Sequence, residues 1–215
     1  MGRRIVDVDL ENFARVPRDC RQTVFWELDH DDRAVNARFQ KEEWFSSTLL
    51  EWGPCGKLLL DPAVPDPAVP DPAVPDPAVP DPAAPGIGFA QYAPSTLFPR
   101  RLRFTSGAAT SDDALYLAYV YVEEGHRGEG LGSALVRDVA RATADRGFDA
   151  LEVVGDRRWD GSWVLPVTFL AANGFRVVVD DERFPLLRLD IRARTEPLRS
   201  EAALTLPQLE PPGVG

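Results

Sequence analysis

Aromatic and β-branched residues alternate through Tyr119-Val120-Tyr121-Val122, and soon afterwards the apolar period lengthens, with Leu135, Val136, Val139 and Ala142 at helical spacing. The pattern predicts a strand over residues 115–122 and a helix that Gly147 closes. Between them lies Arg127-Gly128-Glu129-Gly130-Leu131-Gly132. A glycine-rich loop that opens onto a helix lets bare backbone approach a ligand and aims unpaired amides at it, which makes an anion cradle, most often for phosphate. The spacing fits neither the G-x-G-x-x-G of a dinucleotide fold nor the G-x-x-x-x-G-K-[ST] of a P-loop.

The rest of the chain falls into short elements around this unit. Residues 5–8 alternate as a first strand, and Asp9 is placed to cap a short helix through Leu10, Phe13 and Val16 that stops before Pro17. After residues 20–27 and the acidic Asp29, Asp31 and Asp32, a helical pattern sets Val35, Phe39 and Glu43 on one side and runs on to Trp44, Leu49 and Leu50. Residues 57–60 and 88–93 read as the next two strands. Residues 94–113 read as a long loop, a length often associated with function, and Arg100, Arg101 and Arg103 in it suit either an anion or a solvated face. Residues 150–154 predict a fifth strand, residues 165–173 a helix with Pro166 in its first turn, and residues 176–179 and 186–191 two last strands.

Two strands that a short turn would normally join are separated by five pentapeptides, Asp-Pro-Ala-Val-Pro four times and then Asp81-Pro82-Ala83-Ala84-Pro85. So much proline excludes helix and interior strand and favours polyproline II. The insertion reads either as an expanded hairpin turn or as a docking arm for a partner. The expected domain spans residues 1–194, interrupted at 61–85, and residues 195–215 read as a mobile proline-rich tail.

Composition narrows the class. No run approaches the roughly 18 apolar residues of a membrane span, and MGRRIVDVDL has no apolar signal core, so the expected location is cytoplasmic. The net charge of −10 argues against nucleic acid as a partner. Five of those charges sit in the insertion, which need not touch a site. Cys20 and Cys55 are too few for a disulfide scaffold or zinc cluster, and His30 and His126 are too isolated for a metal, so no metal site is expected. Arginine supplies every cation except Lys41 and Lys57, a bias that looks like a GC-rich bacterial genome.

Arg127 to Gly132 fits R-x-x-G-x-G/A, and Val122 to Arg127 fits the V-x-x-x-x-R strand end before it. In these motifs, and in Phe169-Leu170-Ala171-Ala172-Asn173-Gly174-Phe175, the chain resembles the GNAT (Gcn5-related) N-acetyltransferases over residues 5–192. The resemblance implies an α/β fold with a mixed, mostly antiparallel central sheet and helices on both faces. It implies acetyl-CoA as co-substrate, its diphosphate on the amides of Arg127, Gly128, Glu129, Gly130, Leu131 and Gly132, with Ser133 close by. The pantetheine arm would run along Val120, Tyr121 and Val122, and the amide of Val120 would polarise the acetyl carbonyl.

The chain departs from the family where the acid is expected. Leu170 stands four residues before Gly174, where many relatives carry tyrosine, and Trp163 replaces an asparagine. Tyr119 and Tyr121, assigned to one face of the strand with Tyr116 on the other, are the substitute phenols. Glu27, Glu152 and Asp156 are the candidate bases, and Phe25, Trp26, Glu27 and Trp44 form a candidate acceptor wall or core. The expected activity is N-acetylation of a small-molecule or peptide amine by direct attack on the thioester. The alternative is an acyl-CoA-binding adaptor with little catalysis. The acceptor and the oligomeric state are open.

Overall fold

The computed structural model describes residues 3–29, 36–61 and 86–191. His30, Val35, the pentapeptides from residue 62 and the tail from residue 192 lie outside the described residues.

One sheet of eight strands organises the chain, in the order β1-β2-β3-β4-β5-β8-β7 with β6 beside β5. The strands are β1 (Arg4–Asp7), β2 (Gly56–Leu60), β3 (Gly88–Pro94), β4 (Ala114–Val122), β5 (Ala150–Asp156), β6 (Leu165–Pro166), β7 (Arg176–Val179) and β8 (Leu186–Asp190). Among the described residues, only the β4–β5 and β5–β6 pairs are parallel. The helices are α1 (Arg18–Arg21), α2 (Ala37–Glu51), α3 (Leu131–Asp145) and α4 (Val167–Ala172). Val16, Trp26 and Phe45 pack on one sheet face with Leu58, Phe89 and Tyr116, while Leu135, Val139, Leu170 and Phe175 cover the other with Leu117, Leu151 and Leu187. This is the α/β layering with helices on both faces that the sequence implied. Each such buried side chain contributes about 1.5–3 kcal/mol.

Local chemistry sets the element ends. Gly147 and Gly174 both take positive φ. Phe148 N donates to Thr143 O at 3.2 Å and Phe175 N to Leu170 O at 3.1 Å, so α3 and α4 end in the same left-handed closure, each followed by a phenylalanine. Asp9 Oδ1 accepts from the amides of Glu11 and Asn12 at 2.9 Å, yet this cap opens only a 3-10 turn, Phe13–Arg15. The fourth helix is shorter than expected because Leu165 and Pro166 pair with β5 first. The loop 94–113 is wound into three 3-10 segments, Ser95–Leu97, Pro99–Arg103 and Thr105–Ala109.

Two expectations need correction. On α2 the buried residues are Lys41, Phe45 and Thr48, while Phe39 and Leu50 are 67% and 81% exposed. A charged residue faces the core there, which an apolar periodicity cannot register. Tyr116, expected opposite Tyr119 and Tyr121, lies on their face. Gln91 pairs with Tyr119 but Tyr92 pairs with Leu117, so β4 carries one extra residue, Ala118, at this step. A β-bulge of this kind resets the alternation of side chains along its strand.

Candidate functional site

The bulge coincides with the place where the sheet opens. β5 pairs with β4 only from Ala114 to Tyr116, and beyond that the hydroxyl of Tyr116 accepts from Val154 N at 3.4 Å. Among the described residues, the cleft side of β4 is thereby left without a neighbouring strand. Glu123 N donates to Ile87 O at 2.9 Å. In an antiparallel ladder alternate residues face the same neighbour, so Tyr121 and Tyr119 point their backbone groups at β3, and Val120 and Val122 point theirs into the opening. Val122 O meets Arg127 Nε there, at 3.0 Å.

The opening is a cleft of about 790 Å³. One end is formed by Arg127, Gly128, Gly130, Leu131, Gly132 and Ser133. Gly128 and Gly130 have φ of 81° and 76°, with open space where a side chain would project. Gly130 is also the N-cap of α3, whose first amides have no acceptor within the helix and carry the positive end of its dipole. A Cβ on Gly132 would stand 3.2 Å from the Phe169 ring, so a side chain there would push Phe169 back by a few tenths of an ångström. This end can hold a diphosphate.

The rest of the lining is aromatic and acidic. Tyr119, Tyr121, Trp159 and Trp163 line it with Asp19, Glu123 and Glu124. Trp163 packs 5.3 Å from Tyr119 and 6.3 Å from Tyr121, centroid to centroid. The Tyr121 hydroxyl lies 3.2 Å from Glu123 Oε2 and 3.4 Å from Asp19 Oδ2. Burial first, then the charges of Glu123 and Asp19, push this phenol above its ordinary range. It therefore keeps its proton at neutral pH and can act as a donor.

Among the residues singled out from sequence, Val120, Tyr121, Val122, Arg127, Gly128, Gly130, Leu131, Gly132, Ser133 and Tyr119 come together around the cleft. The Glu129 carboxylate turns away to Arg3, whose Nε also meets Asp61 Oδ2 at 2.7 Å. None of the three candidate bases lines the cleft. Glu27 is buried against Lys41 and Gln91. Glu152 accepts from Ser111 and Arg188, and Asp156 from Arg183 and the amide of Arg158. Trp26 is core, its Nε1 donating to Trp163 O at 3.3 Å, and Phe25 and Trp44 also lie off the cleft. Arg101 and Arg103 brace loop carbonyls, Arg101 on Ser95 and Gly107, Arg103 on Asp29, and Arg100 donates to Leu28 O. Leu170 is wholly buried, and α4 turns Phe169 to the cleft instead.

Sequence reasoning missed Asp19, Glu123, Glu124 and Trp159. The two glutamates directly follow the last strand residue and could have been placed at its mouth. Asp19 is brought in by the packing of α1, which leaves no mark in the local pattern.

Residues 87–158 match the family model described as the acetyltransferase (GNAT) family. No curated protein matches the chain in sequence. Solved structures do match in shape. A GCN5-related N-acetyltransferase from Kribbella flavida is 16% identical, with 88% of this chain and 98% of that one covered and a TM-score of 0.52. An N-acetyltransferase from Staphylococcus aureus is 12% identical, with 89% and 99% covered and a TM-score of 0.51. PaiA N-acetyltransferase from Thermoplasma acidophilum, in complex with coenzyme A, is 12% identical, with 88% and 99% covered and a TM-score of 0.50. Residues 87–158 thus carry the acetyltransferase (GNAT) family pattern, and the described residues have the fold of that family.

Proposed function

We propose that this protein is an acetyl-CoA-dependent N-acetyltransferase whose acceptor is an amine that arrives as a cation. The observation that carries the reading is the edge of β4 that no described strand pairs beyond Tyr116, with the Val120 and Val122 backbone turned into a cleft that also takes in the glycine-rich start of α3. A diphosphate suits that helix end, and an extended arm suits that strand edge. The solved relative that holds coenzyme A supports the same choice of co-substrate.

The chemistry follows from the aromatic and acidic part of the lining. Carboxylates beside aromatic faces favour a cationic guest, and Asp19, Glu123, Glu124, Tyr121 and Trp163 supply both. A carboxylate takes the ammonium proton, directly or through water. The neutral amine then attacks the thioester carbonyl, its nitrogen bonding to carbon as the carbonyl electrons move to oxygen. The Val120 amide stabilises that oxyanion. Collapse breaks the carbon–sulfur bond; the departing thiolate takes the proton of the Tyr121 phenol, and the nitrogen, which still carries one proton too many, gives it to the phenolate, leaving a neutral amide and a restored tyrosine.

A binding-only adaptor is the second reading. It is favoured by one observation, that α4 presents Phe169, which carries no proton, where an acid would be useful. Thiol release from acetyl-CoA with a panel of diamines, polyamines, peptides and neutral amines separates the two. Turnover selective for cationic amines supports the transferase. Coenzyme A binding without turnover across the panel supports the adaptor. The doubly substituted chain Gly130→Asp, Gly132→Asp, if folded, is expected to lose coenzyme A affinity by about a hundredfold or more in calorimetry, and undiminished affinity would sink both readings.

A further inference from the structure

Behind the aromatic wall lies a polar cluster that acetyl transfer as described leaves idle. Lys41 of α2, Glu27, Gln91 of β3 and Tyr119 of β4 are all buried, Lys41 completely. Lys41 pairs with Glu27 and donates to Gln91 Oε1 at 2.6 Å and to the Tyr119 hydroxyl at 2.9 Å, so its three protons are engaged. Gln91 Nε2 in turn donates to Glu27 Oε1 at 2.7 Å, and Tyr119 reaches Cys20 O at 3.4 Å. Among the described residues, Glu27 Oε2 has no hydrogen-bond partner.

Such a cluster is a poor way to stabilise a fold, because desolvating a lysine and a carboxylate offsets most of their attraction, and apolar residues of the same volume would serve as well. Its position suggests a different role. Gln91 and Tyr119 are the paired residues immediately beside the bulge at Ala118. Val120 follows at once, and its amide is the group aimed into the cleft. Of the four side chains, Tyr119 alone also lines the cleft, where its ring packs on Trp163.

We infer that Lys41 is a positioning residue for acetyl transfer: by holding Gln91 and Tyr119 together beside the bulge, it fixes the direction of the Val120 amide and the aromatic wall in front of it. The inference rests on the acetyltransferase reading and adds to it a residue that touches neither substrate. The diphosphate end of the cleft is built by α3 and is outside the reach of this cluster. Disturbing Lys41 therefore alters turnover and leaves coenzyme A affinity in place.

The test uses the full chain with Lys41→Met and Glu27→Gln together, which removes the pair without stranding a buried charge, with and without Tyr119→Phe. The double variant is expected to lower kcat about tenfold or more while coenzyme A affinity by calorimetry stays within about twofold. Adding Tyr119→Phe is expected to cost little more than about twofold, because both changes act through one contact. A folded double variant with wild-type kcat, a parallel loss of coenzyme A affinity, or fully additive effects would each overturn the inference. If the double variant does not fold, Tyr119→Phe alone decides: kcat about threefold lower at unchanged affinity supports it, and unchanged kcat overturns it. Wild-type protein that turns over no amine removes the acetyltransferase reading and this inference together, whereas turnover with an additive cycle removes this inference alone.

Discussion

Arg127 Nε donates to the carbonyl oxygen of Val122 at 3.0 Å, tying the first residue of the glycine loop to the last residue of β4. An arm that pairs along β4 has to displace this guanidinium, which is then free to meet a phosphate. Replacing Arg127 with Met is expected to weaken coenzyme A binding about tenfold at low salt, with a smaller penalty as salt rises. Calorimetry at two ionic strengths checks this, and a salt-independent loss would mean that Arg127 only braces the strand.

Restoring a tyrosine at the position where relatives carry one is expected to fail. Leu170 is fully buried, and its Cδ1 stands 3.0 Å from where a Cβ on Gly155 would lie. Leu170→Tyr therefore overpacks the core, costing about 1–3 kcal/mol, and brings no phenol to the cleft. Phe169→Tyr, one residue earlier, adds a hydroxyl on the cleft side. Thermal melts and kcat measured on both variants distinguish them, with the gain in turnover expected only for Phe169→Tyr.

Acid sensitivity has a definite source in Arg188. Its hydrogen bonds hold Asp113 below the ordinary carboxylate value of 3.8. Arg188 and Arg176 together do the same for Asp190. A carboxylate with a depressed folded pKa adds stability that is complete above its ordinary value and is lost as pH falls through the lower folded one. Asp113→Asn with Asp190→Asn is therefore expected to melt below wild type at about pH 7, with the gap narrowing as pH falls below the ordinary value of 3.8. A gap that persists in acid would contradict this.

Both thiols are predicted to be inert in the folded protein. Burial pushes Cys55 up to about 12 and Cys20 well above its ordinary range. Titration with an aromatic disulfide reagent is expected to find both silent until denaturant is added, at a rate set by unfolding.

Shortening the chain between residues 62 and 84 is expected to leave coenzyme A affinity and turnover unchanged. Ile87 N donates to Leu59 O at 2.9 Å and Leu59 pairs with Gly88, so β2 and β3 are registered by residues on either side of the insertion. Comparing Kd and kcat of the shortened and full chains checks it.

The central unit was legible because its signals are local. Alternation in Tyr119 to Val122, the glycine spacing and the apolar stripe of α3 each reside within a few neighbouring residues. Lys41 was illegible because burying a cation depends on Glu27 and Gln91, which are distant in sequence. The same holds for Asp19, which reaches Tyr121 only through the packing of α1. Leu170 was recognised as a departure from the family, but that Phe169 would face the cleft depends on where Pro166 lets α4 begin. Tyr116 was assigned to the wrong face because simple counting assumes an unbroken strand.

Ala118 works as a one-letter frameshift in the pleat. Removing it would leave the tyrosines on the face they hold, since Leu117 and Tyr119 already pair with the adjacent Tyr92 and Gln91, and would straighten the bend at which β4 parts from β5. A deletion of one amino acid there would thus act on the width of the opening itself, while every side chain of the strand kept its side.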